Sequence, residues 1–228
     1  MVPFPDEPSP PGFCPESASA VAAAIDKLLH CAATAPSVAA FYDPNLAFAG
    51  DMFLDVGQNN PYTVGAADLL AVGFMDVSVS VTAARVLLRG GRLASQVRQL
   101  LTRIPVGVPI WSSTERDLAW ATSLWSLLTK HVPGIGPTKA GKILARKRPE
   151  LIPIIDGVLS KQLNCRPNTY WTAFRDVLQD QALRNEIASL RPGAPVLRIA
   201  DTMMWIHWST SRTARSIVDP LCTCPRNA

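Results

Sequence analysis

Hydrophobic positions recur at helical spacing along most of the chain, and short breaks rich in proline, glycine and asparagine separate the stretches. Val21, Ile25, Leu28 and Leu29 share one face of a helix expected from Ser17 or Ser19 to about Ala33, with Pro36 ending it. Residues 41–62 are rich in turn residues and aromatics and read as short strands or an ordered loop. Thr63 is expected to cap an apolar helix to about Phe74, and residues 77–80 to open another running to Leu88. After Gly90-Gly91, residues 93–104 place Leu93, Val97, Leu100, Leu101 and Ile104 inward. Ser112-Ser113-Thr114 reads as the cap of a helix over 115–130, with Leu118, Thr122, Trp125 and Leu128 on one face.

The pattern continues with a helix from Pro137 to about Lys147, stopped by Pro149, and an extended link at Ile152-Pro153-Ile154-Ile155. Asp156 is placed to cap a short helix through Leu163; one or two helices follow over 170–190, and a closing helix runs over 196–210. No βα alternation and no internal repeat occurs. The expected fold is therefore mostly α, with a short irregular or β-containing N-terminal segment. A proline-rich tail over 1–16 is expected to be disordered. Residues 17–213 are expected to form one helical domain, divisible into 17–104 and 105–213, and 214–228 a frayed tail.

Composition sharpens this picture. No apolar run reaches the roughly 18 residues of a membrane span, and no basic start precedes an apolar core, so neither a membrane partner nor a signal peptide is expected. Five scattered cysteines suit a reduced, cytoplasmic chain, and Cys222-Thr223-Cys224 is too tight for a usual zinc pair. The net charge of +4 is unevenly placed: residues 1–80 are acidic and the rest basic. Any polyanion is therefore expected at the basic part. Arg85, Arg89, Arg92, Arg98 and Arg103 have no acid among them.

The strongest local signal is Val132-Pro133-Gly134-Ile135-Gly136-Pro137-Thr138-Lys139-Ala140, a tight turn between two helices. Gly134 and Gly136 permit positive φ and the close approach of another backbone. Pro137 suits the first turn of a helix. The free N–H groups of that turn, with the helix dipole, favour an anion. Gly134, Ile135, Gly136, Thr138, Lys139 and Lys142 are the candidate phosphate-binding residues, and Arg146, Lys147 and Arg148 extend the charge. A plain αα-hairpin with a glycine cap is the alternative.

This string resembles the helix-hairpin-helix of the DNA glycosylase superfamily, the endonuclease III and alkyladenine glycosylase group. The likeness covers residues 118–163 and includes an aspartate, Asp156, 22 positions after Gly134. Outside that segment the chain is similar to an actinobacterial family of unknown function. The resemblance implies duplex DNA as partner, gripped through phosphate by the hairpin, with a monovalent cation on the carbonyls of Val132 and Gly134. It also implies base flipping into a pocket between two helical subdomains. Asp156 would stabilise the cationic sugar or activate the attacking nucleophile.

Lys139 is a second, remoter catalytic candidate. Lyase members carry a lysine four residues after the first hairpin glycine. Thr138 stands there, and Lys139 is rotated by about 100° on the helix. The expectation is thus a monofunctional glycosylase using water. The cluster-binding cysteines of the endonuclease III branch are absent, so no iron–sulfur cluster is expected. Gly157-Val158 replaces the Thr-His or similar pair that members prefer after the aspartate. Two other readings stand beside this one: a nucleic-acid-binding module without chemistry, and a helical protein whose hairpin contacts only protein.

Remaining candidates read as structural. Trp205, His207 and Trp208 fit a core face better than a base-stacking wedge. His131 suits a helix C-terminus, and His30 and His207 lack partners at metal spacing. Asp43, Asp51 and Asp55 lie near aromatics as an acidic loop or a carboxylate site. No P-loop, dinucleotide fingerprint or hydrolase elbow occurs.

Overall fold

Thirteen α-helices and one 3-10 turn carry the fold in a computed structural model, which describes residues 14–46, 48–163 and 167–222; no strand occurs among them. The helices are α1 (Pro15–Leu29), α2 (Thr34–Phe41), α3 (Met52–Asp55), α4 (Ala66–Gly73), α5 (Val81–Leu88), α6 (Arg92–Arg103), α7 (Glu115–His131), α8 (Pro137–Lys147), α9 (Gly157–Leu163), α10 (Pro167–Val177), α11 (Gln181–Ser189), α12 (Val196–Trp208) and α13 (Arg212–Val218). The mostly α expectation holds. Most of the expected proline-rich tail and the last six residues lie outside the described part.

Caps explain several boundaries. Thr114 accepts from the Asp117 amide while Asp117 accepts from the Thr114 amide, fixing the start of α7. Ser80 caps α5, and Asp180 caps α11, splitting the expected 170–190 segment in two. Three expectations are corrected, and one is narrowed to its loop alternative. Pro36 does not end a helix; it sits in the first turn of α2, where its missing N–H costs no bond. The 41–62 segment holds α3 and loops but no strand among its described residues. Gly65, not Thr63, starts α4, its N–H donating to Asp68. Residues 214–218 of the expected tail belong to α13, with Ala214 and Val218 buried.

Packing gathers the helices into two groups rather than along a cut at 104/105. α1 lies on α10, while α2, α9, α11 and α13 pack about α12. In the middle of the chain α4 packs on α8, α7 on both α6 and α8, and α5 on α6. The two ends of the chain thus form one group and its middle the other. A continuous apolar cluster, from Ala18 to Ala214, runs through both.

The last turn of α8 ties the middle group together with charge. Arg146 donates to the carbonyls of Phe53 and Val56 and lies beside Asp68; Lys147 bonds Asn59, Asn60 and Asp68. Arg148 donates to the carbonyls of Leu101, Ile104 and Pro61. All three are buried, and so is Asp68. The expected extension of hairpin charge by these three residues is therefore corrected. Their cationic groups satisfy carbonyls that α6 and the 53–61 loop would otherwise leave unpaired. Burial pushes Arg148 down to about 10 and lowers Lys147, against the pull of Asp68.

Candidate nucleic-acid interface and pocket

The hairpin between α7 and α8 is built as a glycine turn clamped from inside. Gly134 sits at φ +81°, and a Cβ there would come within 2.7 Å of Ser80 Oγ. Gly136 has φ −91° and precedes Pro137 as the helix cap, so positive φ is required at Gly134 alone of the two. The Ile135 side chain is buried in the core, and its N–H closes the turn on the Val132 carbonyl at 3.1 Å. Trp125 Nε1 holds the Pro137 carbonyl at 3.2 Å.

What remains outward is the candidate anion seat. The amides of Gly136, Thr138 and Lys139 find no acceptor among the described residues, and a Cβ on Gly136 would meet nothing within 4 Å. His131 lies at the end of α7, lining an open groove of about 420 Å³ with Lys130 and the hairpin backbone. Two expected contributors are diverted. The Ile135 N–H is used inside the turn. Lys142 points inward, where its Nζ donates to the Met75 carbonyl, and does not extend the seat.

The hairpin carbonyls also carry a built-in cation. Lys139 Nζ donates to the Gly134 carbonyl at 3.0 Å, while the Val132 carbonyl accepts from Ile135. A monovalent ion on this pair would compete with the Lys139 ammonium, so the donor set does not fit a resident cation. The same contact engages the Lys139 amine. The exposed positive surface lies instead on α5 and α6. Arg85, Arg89, Arg92, Arg98 and Arg103 are all exposed, and α5 starts at the Ser80 that backs Gly134.

A second feature lies between the two helix groups. A cavity of about 420 Å³ is walled by Phe41, Tyr42, Phe48, Phe53, Phe74 and Trp205. Its polar lining includes Lys142 from α8, Asp156 at the start of α9, and Arg198, Asp201 and Thr202 from α12. Lys142 is six residues beyond Gly136, so about 9 Å of helix joins the anion seat to the cavity. Phe41 and Phe48 meet Trp205 at ring separations of 5.9 and 6.1 Å, edge-on.

Asp156 lines this cavity half-buried. Its Oδ1 accepts from the amides of Val158 and Leu159, capping α9 as expected. Its charge opposes the burial that lowers the Lys142 pKa. Deeper in, Arg198 Nη2 pairs with Asp201 Oδ2 at 2.7 Å, and the Ile154 amide donates to the same oxygen at 2.9 Å. Burial nevertheless pushes the Asp201 carboxyl up to about 7. Arg198 Nε and Nη1 and Asp201 Oδ1 are buried with no hydrogen-bond partner among the described residues. Tyr42 Oη reaches Thr202 at 3.2 Å and is shifted up by burial.

The sequence pointed to Asp156 and the hairpin but not to Arg198, Asp201 or Tyr42. Arg198 and Asp201 are one helical turn apart on a strongly apolar helix, and a buried charged pair on such a face was the available signal. Trp205 lines the cavity, and Trp208 packs partly buried on the core. The expectation that His207 lacks metal-type partners is corrected: Cys31 and Cys222 come to it from distant parts of the chain. The acidic loop separates, with Asp55 exposed and Asp43 and Asp51 half-buried, and no metal-type cluster forms from it among the described residues.

Residues 35–208 match the model of a family described as a family of unknown function, DUF6308, and the chain belongs to that family. No curated protein and no solved structure matches the chain. No helix among the described residues is long and apolar enough to cross a membrane.

Proposed function

We propose that this chain binds duplex DNA through its hairpin and releases a damaged base by hydrolysis, with Asp156 as the catalytic carboxylate. The observation that carries this reading is the position of Asp156. Its half-buried carboxylate lines an aromatic-walled cavity between two helix groups, and one helix joins that cavity to the hairpin. A flipped base is planar, and aromatic walls suit it. The unpartnered groups of Arg198 and Asp201 would read its polar edge: the arginine donates, and Asp201 accepts or donates according to its protonation. Positive charge develops on the sugar as the glycosidic bond breaks, and a fixed carboxylate stabilises it. Water completes the hydrolysis. No amine serves as a Schiff base in this scheme: Lys139 is held by the Gly134 carbonyl, and Lys142, in the cavity wall, by the Met75 carbonyl.

The test is a base-release screen on duplexes carrying single damaged bases. The expected result is release of a free base that leaves an abasic strand uncut. Strand cleavage without base treatment would overturn the monofunctional scheme, and duplex binding without release of any base would overturn the chemistry.

That last outcome corresponds to a second reading, a nucleic-acid-binding module without chemistry. It is favoured by the engagement of Asp156 Oδ1 in capping α9, an ordinary structural use of an aspartate. A protein-only role for the hairpin predicts no duplex binding at any salt concentration.

A further inference from the structure

Far along the chain from the hairpin, three potential ligands converge from three separate segments. Cys31 follows α1, His207 lies in the last turn of α12, and Cys222 follows α13. Their ligand atoms all lie within 4.8 Å of one another. Cys31 Sγ is 3.4 Å from Cys222 Sγ, and Cys222 Sγ is 3.8 Å from His207 Nε2. Tetrahedral zinc with Zn–S near 2.3 Å and Zn–N near 2.0 Å places its ligand atoms about 3.5–3.8 Å apart. The observed spacing is that of a site before small adjustment. Cys31 and His207 are buried, with Ala33 and Val218 supplying an apolar shell.

We infer that Cys31, His207 and Cys222 form a zinc-type metal site that clasps the C-terminal end of the chain onto α1 and α12. Two thiolates and a neutral imidazole are a soft donor set suited to zinc. Binding releases the two thiol protons, so the thiolates balance the dication. Three ligands come from the described residues, and tetrahedral zinc takes a fourth. The clasp also bears on the cavity, because His207 is six residues beyond Asp201 on α12, about 9 Å along the helix.

The experiment uses the full chain, purified under reducing conditions without chelator, with zinc content measured and cobalt(II) then titrated into metal-free protein. About one equivalent of zinc and a thiolate-to-cobalt charge-transfer band are expected, with zinc raising the Tm. Cys31→Ser and His207→Ala should each weaken or abolish the cobalt spectrum, while Cys14→Ser leaves it unchanged. The proposal is overturned if folded wild-type protein holds no zinc and develops no charge-transfer band. It is also overturned if the band persists unchanged in Cys31→Ser, or if mass spectrometry of the reduced preparation finds Cys31 and Cys222 joined as a disulfide. Because cobalt binding is read on the wild type, poor folding of a variant leaves the test intact.

Discussion

The two ends of α8 carry the same kinds of side chain in opposite roles. At its start, Gly136, Thr138 and Lys139 leave backbone amides open to solvent, and Lys139 curls onto the hairpin. At its end, Arg146, Lys147 and Arg148 are buried and spent on carbonyls and on Asp68. A count of positive residues treats them alike. Position within the packing separates them, because a cation that meets a loop carbonyl in the interior is unavailable to a phosphate. The difference teaches that the charge this chain has free for a polyanion would be smaller than its composition suggests, with exposed arginines grouped on α5 and α6.

The largest expected effect breaks the buried end. Arg146→Ala removes the donors to Phe53 and Val56 and half of the compensation for Asp68. It should cost about 3–5 kcal/mol in denaturant unfolding, as for a broken buried pair. A loss below about 1 kcal/mol would show that this end is not structural.

Next comes the turn itself. Gly134→Ala forces a side chain into positive φ and against Ser80, and should cost about 1–2 kcal/mol. Gly136→Ala meets open space and should fold nearly as well, while its methyl weakens duplex binding at the anion seat. Equal effects of the two substitutions on stability would contradict the assignment of the strained position.

The cavity gives a pH test. Asp201 in the folded state holds its proton up to about 7, whereas the unfolded chain loses it near 3.8. Across that window the unfolded state binds fewer protons, so stability falls as pH rises, by about 1.4 kcal/mol per pH unit at most. Asp201→Asn cannot ionise, and its stability should rise relative to wild type between about pH 4 and pH 7. A constant difference across the window would show that Asp201 is ionised throughout.

The smallest effect on stability belongs to the exposed end. Lys139→Ala should change stability by less than about 0.5 kcal/mol. It should lower the salt dependence of duplex affinity by about one counterion. An unchanged slope would take Lys139 out of the interface.

How much of this was legible in the sequence follows from the range of each interaction. The limits of α7 and α8 were readable because Thr114, Pro137 and the glycines act locally. The helix over 212–218 was missed because a polar, arginine-bearing segment is held by burial of Ala214 and Val218 against distant helices. In the site, Asp156 was found through its interval from Gly134, a local quantity. Arg198, Asp201 and Tyr42 join it only through packing of the chain's two ends, as do Cys31, His207 and Cys222. No spacing in the sequence encodes those encounters.

The central claim rests on one carboxylate, and Asp156→Asn isolates its charge. Asparagine is as good a helix cap as aspartate, so the bonds to Val158 and Leu159 and the start of α9 are retained. Base release should be measured in single turnover on a duplex that wild type processes, with duplex affinity measured in parallel. The account predicts that Asp156→Asn loses base release by a factor of about 100 or more while affinity stays within about threefold of wild type. Release at the wild-type rate, with affinity equally unchanged, would contradict it and leave Asp156 as a helix cap.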